Sequence, residues 1–432
     1  LMEGASWWNE AFELAGYINA FQVKVLPEGA DPLDLRYNVI QWVHRSTRGW
    51  SYGASVIDPR TGEIIKGHVS LGSLRVRQDY LIAEGLLAPY QSGKSVPDAM
   101  KKMALARLRQ LSAHEVGHTL GLAHNYAASS YKAGSVMDYP HPFIELDDRG
   151  NIDLSGAYAT GIGTWDKTAI QYGYGSFDPV EDEELALREI LETAIRKDQR
   201  YITDLDARAP GGAHPVAHLW DNGSSAVEEL TRVMHIRDIA LNKFSEEVIP
   251  EGNPLAEMER ALVPVYFLHR YQAEAAVKLI GGVDYNYALR GDEQFITKTV
   301  APEIQWSAVR ALLGILEPAA LTLDDDLLKA IPPPPPGLER SRENIEMRTG
   351  PTFDPLAAAE TVIQMVLELM LHPERCERLY QQKLVDERMP GLAEYLDAIT
   401  DFIVDQKDGP AYANALRQIS GRILIEHLAA LA

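Results

Sequence analysis

Cysteine is almost absent from this chain of 432 residues: Cys376 stands alone, so no intrachain disulfide can form. It lies in a stretch with a helical pattern, where a thiol behaves as a small buried hydrophobe. Cations are outnumbered, with 41 Lys and Arg against 62 Asp and Glu and a formal net charge of -21. Such a balance argues against binding nucleic acid or anionic lipid, because both need clustered Lys and Arg. No run of 18 apolar residues exists, so no helix is expected to span a membrane. The opening Leu1-Met2-Glu3-Gly4 has neither the basic nor the apolar region of a signal peptide. No repeat of fixed period is present, which leaves a solenoid unsupported. The hydrophobic fraction, 46%, is ordinary and sufficient for a sizeable core, and the length calls for two domains.

One segment carries most of the chemical information. Residues 114–124 read His-Glu-Val-Gly-His-Thr-Leu-Gly-Leu-Ala-His, the pattern HExxHxxGxxH. On an α-helix His114 and His118 project from one face, about 6 Å apart along the axis, and can converge on one ion. Gly121 can take a positive φ and end the helix, which lets the chain turn back and present His124 as a third ligand. Glu115 can reach a metal-bound water without binding the metal itself. Three protein ligands leave one position open, as a catalytic zinc requires. HExxH alone arises by chance in roughly one chain in a hundred of this length, and Gly121 with His124 lower that by roughly three orders of magnitude. The plainer alternative is an amphipathic helix with surface histidines. Against it, residues 99–111 are strong helix formers with Met103, Leu105, Leu108 and Leu111 at helical spacing, after a helix start at Ser95 and Pro97.

Soon after His124 comes Ser135-Val136-Met137-Asp138-Tyr139-Pro140. Motif and turn together resemble the metzincins, zinc endopeptidases in which HExxHxxGxxH is followed by a tight turn with a methionine beneath the metal. The resemblance implies Zn2+ held by His114, His118 and His124, with Gly121 and Met137 as structural support. Tyr139 matches the place where the astacin and serralysin branches have a tyrosine that binds zinc or stabilises the transition state; a tyrosine packed by one edge with its hydroxyl in water is the other reading. Asn125 departs from these branches, since matrixins carry serine there, astacins glutamate and serralysins proline. Residues 7–12, 36–40 and 55–62 look closer to large bacterial zinc metalloproteases with a helical C-terminal extension. That resemblance covers about residues 1–175 well and the remainder loosely. It implies a secreted or periplasmic protein. A metzincin sheet would begin with a strand before the opening helix, so the expectation is a fragment or processed form of a longer precursor.

The expected fold is therefore α+β: a metzincin-like catalytic domain over residues 1–175, with a small mixed sheet and the zinc-binding helix, then a mostly helical domain over 176–432. In the first, a helix over 2–15, β character at 20–26, a strand at 35–44, and a hairpin of 51–58 with 63–71 precede the motif helix. The strand at 53–58 would form the sheet edge above the cleft, able to bind an extended peptide by strand addition, or it is an ordinary hairpin strand. Residues 73–93 read as irregular, and 165–173 as a short helix. In the second domain, helices are expected at 181–197, 226–244, 255–280, 303–316, 355–371, 373–386, 391–405 and 410–428. The five prolines at 332–336 read as a stiff spacer between helical layers, with a site for a proline-binding partner as the other reading.

The implied chemistry is hydrolysis of a peptide bond in a polypeptide substrate, with Glu115 as general base and Tyr139 assisting at the carbonyl oxygen. Three alternatives remain open on sequence: an exopeptidase, a thermolysin-like hydrolase with a distant glutamate ligand, and a zinc-bearing scaffold or binding protein without protease activity. Oligomeric state and cleavage preference have no signature here.

Overall fold

In the computed structural model, residues 1–45, 50–90, 98–177, 182–341, 343–404 and 409–431 are described. Helices α1 (Met2–Ser6) and α2 (Trp8–Leu14) come first, followed by strands β1 (Val39–Val43), β2 (Tyr52–Ile57) and β3 (Ile64–Gly72). Helix α3 (Leu74–Leu87) leads to the long α4 (Asp98–Thr119), and α5 (Thr164–Tyr174) follows a stretch of turns. The start expected at Ser95 and Pro97 lies outside the described residues.

The sheet has the order β1-β3-β2, with β1 parallel and β2 antiparallel to the central β3. Val69 and Leu71 of β3 point into a small core shared with Trp8, Phe12, Val116, Met137 and Ile170. Trp8 explains how the chain's first turns are fixed: its ring is fully buried and its indole N–H donates to Ala113 O at 2.8 Å, one residue before His114. On the other side, β2 lies directly on α4. A Cβ on Gly53 would overlap the Glu115 carbonyl oxygen, and Ser55 Oγ donates to Thr119 O at 2.7 Å. Glycine is what permits so close a crossing.

Beyond α5 the chain is mainly helical: α6 (Glu183–Arg196), α7 (Asp204–Arg208), α8 (Ala226–Asn242), α9 (Met258–Tyr266), α10 (Arg270–Val277), α11 (Pro302–Ile315), α12 (Pro318–Leu321), α13 (Asp325–Ala330), α14 (Pro355–Met370), α15 (Pro373–Val385), α16 (Leu392–Val404) and α17 (Ala411–Leu431). Short strand pairs sit at Glu145–Leu146 with Ile152–Asp153 and at Val283–Tyr285 with Thr297–Thr299. The largest apolar core joins Leu230, Leu262, Leu312, Val362 and Ile399 of these helices, and it also takes in Leu86, Met100, Met103, Ile144 and Leu154 from before residue 175. The fold class is thus α+β, with small sheets and many helices. Cys376 is a buried free thiol in α15. No single helix among the described residues is long and apolar enough to cross a membrane.

Four segments differ from expectation, the first being the helix expected over 2–15, which is broken at Trp7 into α1 and α2. Residues 74–87 form α3 although no helical stripe is visible, because Asp79 is fully buried and bonded to Arg75 at 2.7 Å and to Tyr158. A polar residue on the inward face hides the apolar period. Residues 20–26 belong to no strand, since their alternating pattern meets no ladder partner among the described residues. The expected single helix over 255–280 is divided into α9 and α10. Helix α9 runs through Pro264, and the break comes after Tyr266, whose carbonyl, which Arg270 N–H would meet in a continuous helix, is taken by Arg237 Nε at 2.9 Å.

Candidate metal centre

Helix α4 carries His114, Glu115 and His118 at its C-terminal end, and the ending is built as the sequence suggests. Gly121 has φ +89°, Gly121 N–H bonds to His118 O at 3.1 Å, and Leu122 N–H reaches back to Gly117 O at 3.1 Å. This is a Schellman stop, which only a residue at ease with positive φ closes without strain. Three residues later His124 has turned back onto the helix. One ring nitrogen from each histidine lies within 4.8 Å of the others, and His114 Nε2 is 3.2 Å from His118 Nε2.

Each imidazole is held from behind. His114 Nδ1 lies 2.7 Å from Val136 O, His118 Nδ1 lies 2.9 Å from Leu122 O, and His124 Nδ1 lies 2.9 Å from Asp204 Oδ2. Every acceptor calls for a protonated Nδ1, so each Nε2 lone pair is left for the centre. His124 Nε2 is buried with no partner in the protein. Burial also lowers the pKa of all three rings below the usual imidazole value, with neighbouring histidines adding to the effect at His114 and His124. Neutral imidazoles with converging Nε2 atoms are the donor set that zinc takes.

Glu115 is buried beside this triad, and burial pushes its carboxyl up to about 7 against the pull of Arg107 and a hydrogen bond from Gly53 N–H. Met137 is fully buried beneath the helix; its sulfur occupies the place a Cβ on Gly117 would need. The turn that carries it is fastened by Asp166, a buried residue of α5 whose carboxylate accepts from Ser135 Oγ at 2.6 Å, Val136 N at 2.8 Å and Gly163 N at 2.6 Å. The ring of Tyr139 lies 4.8 Å from that of His124 and 5.2 Å from that of His114, with Trp220 at 5.3 Å on its far side. Asn125, which fits no well-known branch, is fully buried. Its Nδ2 donates to Arg200 O and the Tyr131 hydroxyl, while its Oδ1 accepts from Ile202 N and Ala127 N. A carboxylate or hydroxyl could not serve two donors and two acceptors in this way.

The Met-zincin family model matches residues 97–410, well over half of the chain. The chain belongs to the Met-zincin family. Neither a curated protein nor a solved structure matches it. Membership makes it a zinc metalloprotease in general terms, with polypeptide as the class of substrate. The Met-zincin match runs through the helical region, which therefore belongs to the family's common body.

Asp204, Arg208 and Asp166 surround this Met-zincin centre but stand out in no local motif. A large cleft of about 2330 Å³ touches the loop at Leu120 to Ala123, yet neither the histidines nor Glu115 line it.

Proposed function

We propose that the protein is a zinc-dependent endopeptidase in which His114, His118 and His124 hold the ion and Glu115 is the general base. The observation that carries this reading is the convergence of three Nε2 atoms whose Nδ1 partners are all engaged. Bound there, zinc would acidify a water molecule and polarise the scissile carbonyl. Glu115 receives the water's proton and returns it to the leaving amine; a carboxyl whose affinity for protons balances near neutrality is suited to both tasks. Tyr139, beside two of the ligands, donates to the carbonyl oxygen as charge builds on it. Met137 and Gly121 shape the floor and the turn that keep the ligands in place.

Endopeptidase rather than exopeptidase activity is supported by β2. It pairs with β3 on one edge, carries no strand on the other among the described residues, and crosses the motif helix at Glu115. An extended peptide added to that edge passes over the catalytic carboxylate, with chain continuing in both directions. A secreted or periplasmic site of action is part of the same proposal. In the test, Glu115→Gln should retain zinc and lose about 10²–10⁴-fold in cleavage of peptides blocked at both termini. Undiminished cleavage by the variant ends the assignment of Glu115, and cleavage confined to free termini ends the endopeptidase reading.

A further inference from the structure

We infer that Asp204, from the helical region, is a positioning residue for the metal centre, acting through the third histidine. This rests on the reading of His114, His118 and His124 as zinc ligands. His114 and His118 are aligned by backbone carbonyls, whereas His124 is aligned by a carboxylate 80 residues further along: its Nδ1 lies 2.9 Å from Asp204 Oδ2 and 3.1 Å from Oδ1. A charged acceptor fixes the tautomer more firmly than a carbonyl and makes the opposite nitrogen a stronger donor to a metal.

The carboxylate is itself held. Arg208, one turn on in α7, donates from Nε to Asp204 Oδ1 at 2.5 Å, and Thr203 Oγ1 lies 3.2 Å from Oδ2. The same guanidinium donates through a second nitrogen to the Tyr126 hydroxyl at 2.5 Å, and the Tyr126 ring stacks on His124 at 5.1 Å between centroids. His124 is thus fixed in its plane by Asp204 and across its face by Tyr126, with Arg208 joining the two. Helix α7 cannot drift, because the hydroxyls of Tyr285 and Tyr287 donate to Asp206 and the buried Lys278 ammonium donates to Ala207 O. The third ligand is therefore set by the helical region, in its plane by the Asp204 carboxylate and across its face by the Tyr126 ring that Arg208 holds.

The experiment compares full-length wild type with Asp204→Ala and with Asp204→Asn, which keeps an acceptor oxygen but not the charge. Zinc affinity is read by competition with a chromophoric chelator, coordination by the visible absorption of the Co(II)-loaded protein, and the metal-free fold by urea denaturation. The expected result is a 10–100-fold loss of zinc affinity in Asp204→Ala, a smaller loss in Asp204→Asn and an altered cobalt spectrum, with the metal-free denaturation midpoint shifting less than the zinc-loaded one. Equal affinity and an unchanged spectrum in both variants overturn the inference, as does a loss of affinity matched by an equal loss of the metal-free fold. If the alanine variant does not fold, Asp204→Asn alone decides by the same criteria. A wild type that binds no zinc fails at the earlier step and overturns the ligand reading itself.

Discussion

The two sides of the metal centre are built differently. On the near side, His114 and His118 share one helix, and their Nδ1 acceptors, Val136 O and Leu122 O, lie within 22 residues of them. On the far side, His124 leaves the helix after Gly121 and depends on residues 200–208: Asn125 reaches Arg200 O, Tyr126 N–H bonds to Ile202 O at 2.8 Å, and His124 meets Asp204. The near side is fixed by helix geometry, which places i and i+4 side by side at no cost in loop entropy. The far side is fixed by tertiary contact, so its precision depends on the helical region being folded and docked. The expectation is that the three histidines converge only when both parts of the chain are in place.

The largest effect is expected from separating the two. Residues 1–175 alone would expose the faces of Met100, Met103, Ile144 and Leu154 that join the main core, and would strip Tyr126 and Ala127 of Ile202, Ala207 and Leu219. The piece should show no cooperative unfolding transition and no tight zinc binding, measured by urea denaturation and chelator competition. A cooperative, zinc-binding fragment would break the comparison outright. Next in size is a lesion confined to the near side. Asp166→Ala removes the acceptor of two buried donors and one half-buried donor and frees the turn that presents Val136 O to His114. Each buried donor left without an acceptor costs about 1–3 kcal/mol, so the two buried ones give an expected loss of about 2–6 kcal/mol in urea denaturation. This loss should appear in the metal-free protein, in contrast to Asp204, whose removal acts on metal affinity. A variant less than about 1 kcal/mol destabilised would show that the methionine turn stands without α5.

That asymmetry also explains what was legible in the sequence. HExxHxxGxxH could be read because its information is local: helix spacing for His114 and His118, and a positive φ at Gly121. Met137 and Tyr139 were conspicuous by their closeness to the motif, and the structure places the first against the histidine helix and the second beside two of the rings. Asp204 and Asp166 were not, because nothing in Thr203-Asp204 or Trp165-Asp166 distinguishes a ligand-orienting carboxylate from any acidic residue in a first helical turn. Helix α3 was hidden by an inward Asp79, and the division between α9 and α10 depends on Arg237, outside both helices. The likeness to known proteases faded past residue 175, yet the family match extends to residue 410. The helical region meets the centre at a few scattered positions, Arg200, Ile202 and Asp204 among them, and such positions leave no contiguous motif.

The smallest effect is expected at a second seam between the two sides. Asp138, next to Tyr139, and Asp221, next to Trp220, are both buried, and the charge of Asp221 bears on Asp138. Burial pushes Asp221 up to about 7, against the pull of Lys278; burial and then Asp221 raise Asp138 well above the ordinary carboxyl range. A carboxyl whose folded pKa is raised binds its proton more tightly folded than unfolded. Its contribution therefore favours folding at low pH and is lost as pH climbs from about 4 through 7. Asparagine at 221 keeps the shape and never ionises, so it escapes that loss. Relative to wild type, Asp221→Asn should gain about 1–2 kcal/mol of stability between pH 5 and pH 8, read from urea midpoints at each pH. A difference that stays constant across this range would mean that the pair does not hold a proton in the folded protein, and that the two sides meet there through charge neutralised by Lys278 instead.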